Sequence, residues 1–319
     1  MGTAMDDGNR TGLAIILVVC AMALFGLIDN FIRLAAETGG LWQFHVLRSI
    51  VALAILWGAA RATGAVLRPR RPGHVVARSL LNTTAMVIYF GCLGLMPIAQ
   101  VVAGLYTAPL FVVIFSWLFW GEGVGPRRIV AVLIGFAGIL LVIRPDQSGL
   151  TMLSALPVLS GAAYALGNIA TRRWCAAEGT LTLLAGFFGC MMIVGAVGCA
   201  VIAVTQPAVA AGADGFITRG WVWPAGIFGL MVVVQGVGSL IGVGLSIRAY
   251  QIADATLVAV FENTLLAFAT LWAFLLWGEW PDAVALLGLG LIALAGVIIA
   301  IRAPQPQAVR AVTLPVDPA

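Results

Sequence analysis

The sequence predicts an all-α membrane protein, and the prediction rests on its composition, on the length of its apolar blocks and on an internal repeat. Of 319 residues, 62% are hydrophobic and only 9% are charged, and the mean hydropathy is +1.07. Soluble proteins carry about 25% charged residues. The apolar blocks run for about twenty residues, the length that a helix needs to cross roughly 30 Å of hydrocarbon. A water-soluble enzyme is therefore excluded.

Charged residues mark the ends of the predicted spans, because a charge inside the bilayer is costly. Residues 79–121 carry no charge and supply two spans, and runs such as 130–142 lack the alternation of a barrel strand. With barrel strands excluded, the spans are predicted to be α-helices, because each helix can satisfy its own backbone hydrogen bonds in lipid. We predict ten spans, at residues 12–34, 41–60, 75–95, 97–120, 127–144, 151–171, 180–205, 221–247, 253–277 and 282–301.

The distribution of basic residues predicts the orientation. All 17 basic residues are arginines, and cytoplasmic loops of membrane proteins are enriched in basic residues. If both termini are cytoplasmic, most arginines, Arg78 among them, lie at inner helix ends. The outer ends then receive only Arg33, Arg48, Arg144 and Arg219. This topology explains the positive net charge without a nucleic-acid partner.

Two similar segments indicate an internal repeat. Residues 119–123 read Phe-Trp-Gly-Glu-Gly and residues 276–280 read Leu-Trp-Gly-Glu-Trp, and each segment ends a predicted span. Because five spans per half is an odd number, the second half must be inverted, an arrangement that places a substrate site near the bilayer midplane. The predicted organisation is a cytoplasmic tail at 1–10, a first repeat at 11–145, a second repeat at 146–303 and a disordered cytoplasmic tail at 304–319.

Several motifs resemble those of a known family. The paired Gly121-Glu122 and Gly278-Glu279, with Thr107-Ala-Pro109 and the Ala-Tyr-Gln-Ile-Ala run at 249–253, resemble the EamA branch of the drug/metabolite transporter superfamily. The segments 43–48 and Phe261-Glu-Asn-Thr264 are similar to bacterial S-adenosylmethionine-uptake-like members. The resemblance implies a ten-helix carrier of amino acids, amines, nucleoside-like metabolites or drugs in the bacterial inner membrane. Where many relatives carry proline, this chain has Asn263, so we expect a softer kink there.

Glu262 is the first candidate for a binding residue. It lies about 14 Å into span nine at roughly 1.5 Å per residue, and ionisable residues at this depth mark functional sites. It could bind a cationic group, carry a coupling proton, or do both in competition. The alternative is a protonated hydrogen bond between helices. Asn263 points about 100° away on a continuous helix, so only one of the two need face a cavity.

Asp29 and Arg48 are the other charged candidates. Asp29 could pair with Arg33, four residues further along the same helix face. Arg48 could form an ion pair with a neighbouring helix or hold a substrate carboxylate by a two-point contact. Three tyrosines also lie deep enough to contact a ligand: Tyr89, Tyr106 and Tyr164.

Three further residues are predicted to be structural. Pro109 lies midway along span four, where a proline removes a helical hydrogen bond and kinks the chain. Glu122 and Glu279 end helices, where a negative charge opposes the helix dipole, so we predict that each caps the following helix. Neutral polar residues that could bridge helices are Asn82, Gln100, Asn168 and Gln235.

These observations predict a transporter without a nucleotide site. Lysine is absent, so no GxxxxGK[ST] loop is possible, and we predict no enzymatic activity, cofactor or metal site. We predict a secondary transporter, monomeric or homodimeric, that moves a small polar, zwitterionic or amine-bearing metabolite through proton coupling or exchange. Glu262 would bind the cationic group or a proton, Arg48 the anionic group and Tyr106 the apolar body. The alternative substrate is an S-adenosylmethionine-like or quaternary ammonium cation, and a scaffold or embedded enzyme is the least favoured function.

Overall fold

The regular structure of the protein is helical throughout the described residues. The computed structural model describes residues 2–92, 101, 104–121, 123, 125–143, 155–278 and 282–300, and this part of the chain contains no β-strand. A 3₁₀ helix, Gly212–Gly215, precedes α9. The α-helices are α1 Gly2–Asp29, α2 Ile32–Thr38, α3 Leu41–Thr63, α4 Pro72–Cys92, α5 Ala108–Trp120, α6 Pro126–Ile143, α7 Ala155–Trp174, α8 Thr180–Thr205, α9 Gly226–Ile252, α10 Ala255–Glu262, α11 Thr264–Trp277 and α12 Ala283–Ala300.

The lengths and composition of these helices confirm a multi-pass membrane protein. Within the described ranges, 6 helical segments are long and apolar enough to cross a membrane: Arg10–Thr38, Leu41–Thr63, Pro72–Cys92, Thr180–Thr205, Gly226–Ile252 and Ala255–Leu276. Shorter apolar helices are Ala108–Trp120, Ile129–Leu141 and Ala283–Ala295. All of these segments overlap spans predicted from the sequence.

The ninth predicted span is interrupted at Asn263, although no proline is present. α10 ends at Glu262, α11 begins at Thr264, and Asn263 forms a turn between them. The Thr264 hydroxyl donates to the Phe261 carbonyl at 2.7 Å, and the Leu266 N–H donates to the Asn263 carbonyl at 3.2 Å, a three-residue spacing that tightens the chain. The expected softening of this kink is wrong, because local hydrogen bonds replace the proline.

The position of Pro109 also differs from the prediction. Tyr106 and Thr107 form a turn, α5 begins at Ala108, and Pro109 occupies the first turn of that helix. A proline there removes no helical hydrogen bond, since the first N–H groups of a helix have no intrahelical acceptor. Span four is therefore interrupted directly before Pro109, whereas the predicted loss of a helical hydrogen bond at this proline does not occur.

The two helices that carry the repeat motif end in the same way. Gly121 ends α5 with φ of 62°, and Gly278 ends α11 with φ of 69°, a left-handed conformation that favours glycine. The N–H of each glycine donates back to carbonyls in the last turn of its helix. Glu122 and Glu279, the predicted caps, lie outside the described residues, so their roles stay predictions.

Helices from the two predicted halves pack against each other. The main pairs are α6 with α12, α4 with α7, α3 with α8, α1 with α9, α1 with α11, and α5 with α7. At the α6–α12 contact, a Cβ on Gly138 would lie 2.6 Å from the Gly288 carbonyl oxygen, so the absence of a side chain allows the close approach. One apolar core surrounds the buried Tyr250 with side chains of α1, α5, α7, α9 and α10.

Two sets of hydrogen bonds, which we call latches, join distant segments of the chain near opposite ends of α3. At the end that we call inner, predicted to be cytoplasmic, Glu178 between α7 and α8 accepts the backbone N–H groups of Arg70 and Arg71 at 3.0 and 2.7 Å. At the other, outer end, the Gln43 side chain accepts the Val222 N–H at 2.9 Å and donates to its carbonyl at 2.5 Å. We call these the Glu178 latch and the Gln43 latch.

Candidate functional site

A cavity lies between the helices of the bundle and brings the predicted binding residues together. The space between the lining side chains amounts to about 1110 Å³, which includes the solvent at the mouth of the cavity. The sequence-predicted residues that line it are Asp29, Arg48, Tyr89, Tyr106, Pro109, Tyr164, Glu262 and Asn263. Their shared position agrees with a common site, whereas their individual roles stay predictions.

Glu262 is the most completely coordinated group in the cavity. Its side chain is 5% exposed, and each carboxylate oxygen accepts one tyrosine hydroxyl. Tyr164 of α7 donates to Oε1 and Tyr250 of α9 donates to Oε2, both at 2.8 Å. Because a carboxylate has about four lone-pair sites, each oxygen can still accept from a bound cation.

Sequence reasoning missed Tyr250. This residue lies in the Ala-Tyr-Gln-Ile-Ala run at 249–253, which served only to establish the family resemblance. It is 1% exposed, and its hydroxyl reaches Glu262 because α9 and α10 meet at the corner formed by Ala253 and Asp254. Its depth alone could have placed it beside the three candidate tyrosines.

Five buried polar atoms of cavity-lining residues have no hydrogen-bond partner in the described part of the chain: Arg48 Nε, Tyr106 Oη, Asn168 Nδ2, Ser246 Oγ and Asn263 Oδ1. Buried polar atoms nearly always have partners, so these atoms are available to a polar ligand. Glu262 and Asn263 both line the cavity, and Asn263 keeps right-handed helical dihedral angles in the turn after α10.

Arg48 and Asp29 interact across α3 and α1. The Arg48 side chain is 4% exposed, its Nη1 donates to Ser239 Oγ at 3.5 Å, and its Cζ lies 5.4 Å from the ring of Phe44. The Asp29 carboxylate interacts with Arg48 and with the amide of Gln235. The other predicted partner of Asp29, Arg33, has a side chain outside the described structure.

Arg78 is a second cation in the cavity wall that sequence reasoning missed. The sequence analysis places it at an inner helix end, yet it is 3% exposed and lines the cavity from α4. Its Nε donates to Thr171 Oγ1 at 2.8 Å, and its Nη1 donates to the Leu183 carbonyl at 3.4 Å. The residue begins an uncharged stretch, so its charge resembled an ordinary span end.

Three of the neutral polar candidates line the cavity: Asn82, Asn168 and Gln235. Gln235 also bridges α9 to α1, because its Nε2 donates to the Ile28 carbonyl at 2.7 Å. Gln100 lies outside the described residues. Within the described ranges, no group of three or more His, Cys, Asp or Glu side chains is placed to hold a metal ion.

A multi-pass helical bundle around a cavity lined by charged side chains is typical of small-molecule membrane carriers. Residues 12–144 match the model of the EamA-like transporter family. The pseudopaline exporter of Pseudomonas aeruginosa is 25% identical over 88% of this chain and 93% of that protein. The riboflavin transporter of Rhizobium johnstonii is 24% identical over 92% and 96%. The S-adenosylmethionine uptake transporter of Rickettsia felis is 25% identical over 70% and 69%.

These matches confirm the resemblance to the EamA branch of the drug/metabolite transporter superfamily and support transport as the class of function. A solved crystal structure also superposes with a TM-score of 0.69 at 21% identity, covering 93% of this chain and 97% of the other. That likeness shows a shared fold. The names of the relatives specify different substrates, so the matches do not fix the substrate of this protein.

Proposed function

We propose that the protein is a secondary transporter that moves a small amine-bearing metabolite, zwitterionic and amino-acid-like, across the bacterial inner membrane by alternating access. The observation that carries the proposal is the Glu262 carboxylate, buried at the cavity wall and oriented by two tyrosine hydroxyls. Glu262 binds the cationic group, Arg48 is available to an anionic group, and Tyr106 packs against the apolar body. No chemical conversion is part of this function, and the carrier works as a monomer or a homodimer.

Helix packing supports the inverted repeat of two five-span halves at 11–145 and 146–303. Exchanging each span of the first half with its counterpart in the second turns the α1–α9 pair into the α7–α4 pair. The same exchange turns the α1–α11 pair into the α7–α5 pair and leaves the α3–α8 and α6–α12 pairs unchanged. All of these helix pairs are in contact. The family match to residues 12–144 covers the proposed first half. These relations favour ten spans with both termini on the same side.

The two latches supply closures for alternating access. The Glu178 latch joins two loops, one from each half, whereas the Gln43 latch joins the first turn of α3 to a loop of the second half. The exchange that relates the helix pairs also relates the loop between α3 and α4, which enters the Glu178 latch, to the loop between α8 and α9, which enters the Gln43 latch. The Glu178 latch closes the inner end and the Gln43 latch closes the outer end. Release of one latch at a time opens the cavity to one side of the membrane, as inverted repeats do in other transporters.

Glu262 offers a physical route to coupling. A buried carboxylate is costly without compensation, and either a substrate ammonium group or a proton can neutralise it. The two occupants compete for the same oxygen atoms, so binding of one displaces the other. This competition is the basis of either proton antiport or substrate exchange.

A second candidate substrate is an S-adenosylmethionine-like or quaternary ammonium cation. The rings of Tyr106, Tyr164 and Tyr250 line the cavity together with Glu262, and aromatic faces attract such cations. The Rickettsia relatives named as S-adenosylmethionine uptake transporters agree with this candidate. Strong binding of permanent cations that lack a carboxylate would favour it over a zwitterion.

Reconstitution into proteoliposomes tests the proposed function. Vesicles preloaded with an unlabelled compound are assayed for uptake of the same labelled compound, across amino acids, amines and S-adenosylmethionine. We expect uptake of at least one amine-bearing compound by the wild type and at least tenfold less by Glu262→Gln. Glu37→Gln is the matched control, since Glu37 is exposed in α2. Equal uptake by both variants and the wild type would exclude Glu262 as the binding residue.

A further inference from the structure

The charge of Arg78 lacks a carboxylate partner in the part of the chain that the structure describes. Its hydrogen-bond acceptors are the Thr171 hydroxyl and the Leu183 carbonyl. The other groups that interact with its charge are the side chains of Tyr164, Cys175 and Cys190. Phenols and thiols are neutral at physiological pH by their ordinary pKa values. Within the described residues, a cation that is 3% exposed is therefore compensated by neutral groups, a costly arrangement.

The other charged groups of the cavity interact with a group that compensates their charge. Asp29 of α1 and Arg48 of α3 attract each other, although Arg48 Nε has no hydrogen bond in the described part of the chain, and Glu262 receives hydrogen bonds from Tyr164 and Tyr250. An incoming anion that bound Arg48 would compete with Asp29. An anion that bound Arg78 would meet no such competitor, so electrostatics favour Arg78 as the anion-binding cation.

Asn168 supplies a second donor beside Arg78. Tyr164, Asn168 and Thr171 are spaced by four and three residues on α7, which places them on one helix face. Arg78 hydrogen-bonds to Thr171, three residues from Asn168 on this face, and both Arg78 and Asn168 line the cavity. The Asn168 side chain is 4% exposed, and its amide lies near the hydroxyls of Tyr164 and Tyr250, although Nδ2 forms no hydrogen bond of normal geometry with the described residues.

We propose that Arg78 and Asn168 form an anion subsite that binds the carboxylate of a zwitterionic substrate while Glu262 binds its ammonium group. Tyr164, on the same face of α7 as Asn168, donates to Glu262, so one helix face carries groups of both the cation-binding and the anion-binding ends of the cavity. This assignment rests on the proposed function and replaces Arg48 with Arg78 as the carboxylate-binding residue.

Paired ligands test the subsite on the full-length purified protein. Thermal-shift titrations compare each amino acid with its decarboxylated amine: histidine with histamine, tryptophan with tryptamine, and methionine with 3-(methylthio)propylamine. A ligand that binds only the folded state raises the melting temperature. We expect at least one amino acid to bind the wild type about tenfold or more tightly than its amine, as two charge-assisted hydrogen bonds to a carboxylate imply.

In Arg78→Gln this preference falls to about onefold, while the affinity for the amine stays within about threefold of wild type. Arg48→Gln keeps the preference. If Arg78→Gln does not fold, Asn168→Asp supplies the test, because a carboxylate in the subsite reverses the preference in favour of the amine. Comparing two ligands within one variant separates a change in the subsite from a general loss of stability.

The remaining outcomes have distinct meanings. A preference that survives in Arg78→Gln, or that is lost in Arg48→Gln instead, overturns the subsite and leaves the proposed function intact. If every amine binds the wild type as tightly as the matching amino acid, the subsite is also overturned and the proposed function is left intact. Absence of binding by every amine and amino acid, or binding that is unchanged in Glu262→Gln, overturns the proposed function and the subsite together.

Discussion

The Tyr250 hydroxyl donates a hydrogen bond to Glu262 Oε2 at 2.8 Å, across only 12 residues of sequence. The chain reverses between α9 and α10, so one corner of the fold carries both the acid and one of its two donors. The second donor, Tyr164, comes from α7. The position of the Glu262 carboxylate therefore depends on three helices at once.

Replacing either tyrosine donor is expected to lower stability. Tyr164→Phe and Tyr250→Phe each remove one donor from a buried carboxylate, and loss of such a bond costs about 1–3 kcal/mol. Tyr106→Phe is the matched control, since the Tyr106 hydroxyl has no partner in the described part of the chain and its removal is expected to leave stability unchanged. Thermal unfolding in detergent measures all three variants. Equal losses in all three would show that the hydrogen bonds to Glu262 contribute nothing.

The same control variant is expected to affect ligand binding. Tyr106 lines the cavity and is only 7% exposed. In the proposed function its hydroxyl is therefore available to the substrate. Tyr106→Phe should therefore reduce ligand affinity by roughly tenfold, the effect of about 1.4 kcal/mol, while stability is retained. A titration of the variant with the wild-type ligand measures this effect, and unchanged affinity would remove Tyr106 from the site.

Cys175 is expected to react slowly with maleimides. It is 0% exposed in the loop between α7 and α8, and burial raises the pKa of its thiol to about 11. The thiolate is the reactive form. Its smaller fraction at pH 7 alone slows labelling by roughly 300-fold relative to a free cysteine of pKa about 8.5. The rate should rise about tenfold per pH unit between pH 7 and 9. The background protein carries alanine at Cys20, Cys92, Cys190 and Cys199.

Labelling of Cys175 at the rate of a free thiol would contradict this prediction. It would mean that the inner end is open for most of the time. A rate that does not change between pH 7 and 9 would also contradict it, since a thiol with a raised pKa must gain thiolate throughout that range.

The latches are expected to change Cys175 labelling in opposite directions. Glu178→Ala removes the acceptor of two backbone N–H groups, so the inner end should open more often and labelling should accelerate about tenfold. Gln43→Ala weakens the outer closure, so alternating access predicts that Cys175 becomes less reactive. Gln43 lies almost the full length of α3 away, roughly 30 Å at 1.5 Å per residue. Unchanged labelling in Gln43→Ala would show that the two ends open independently.

The α6–α12 contact is expected to tolerate no side chain at Gly138. A Cβ there would lie 2.6 Å from the Gly288 carbonyl oxygen, whereas a Cβ at Gly290 would have nothing within 4 Å. Gly138→Ala should cost about 1–3 kcal/mol through overpacking. Gly290→Ala, on the partner helix, should be neutral or stabilising by up to roughly 1 kcal/mol. Melting temperatures of the two variants measure the difference, and equal values would show that this contact is loose.

Hydropathy in the sequence was sufficient to predict the helices, because a span is a local property of about twenty consecutive residues. It was not sufficient to predict their interruptions. The break at Asn263 depends on the Thr264 hydroxyl and on a three-residue hydrogen bond, and the start of α5 places Pro109 in its first turn. Both features follow from competition between local hydrogen bonds, which a hydropathy pattern does not contain.

Some residues of the cavity could be identified from the sequence, and others could not. Glu262 and Arg48 could be selected from the sequence, because a charge within an apolar block is conspicuous. Arg78 could not, since it stands where a block begins, and only the packing of α4 against α7 shows that it is buried. Tyr250 was missed because a tyrosine carries no charge, and its partner Glu262 lies beyond a chain reversal that the sequence did not locate.

The central claim is that Glu262 binds the cationic group of a transported metabolite. The most direct measurement is the thermal stability of purified wild type, Glu262→Gln and Glu37→Gln, each titrated with amino acids, amines, quaternary ammonium compounds and nucleosides. The account predicts that at least one amine-bearing compound stabilises the wild type and Glu37→Gln but not Glu262→Gln. Stabilisation of Glu262→Gln to the same extent as the wild type, or of no protein by any amine-bearing compound, would contradict it.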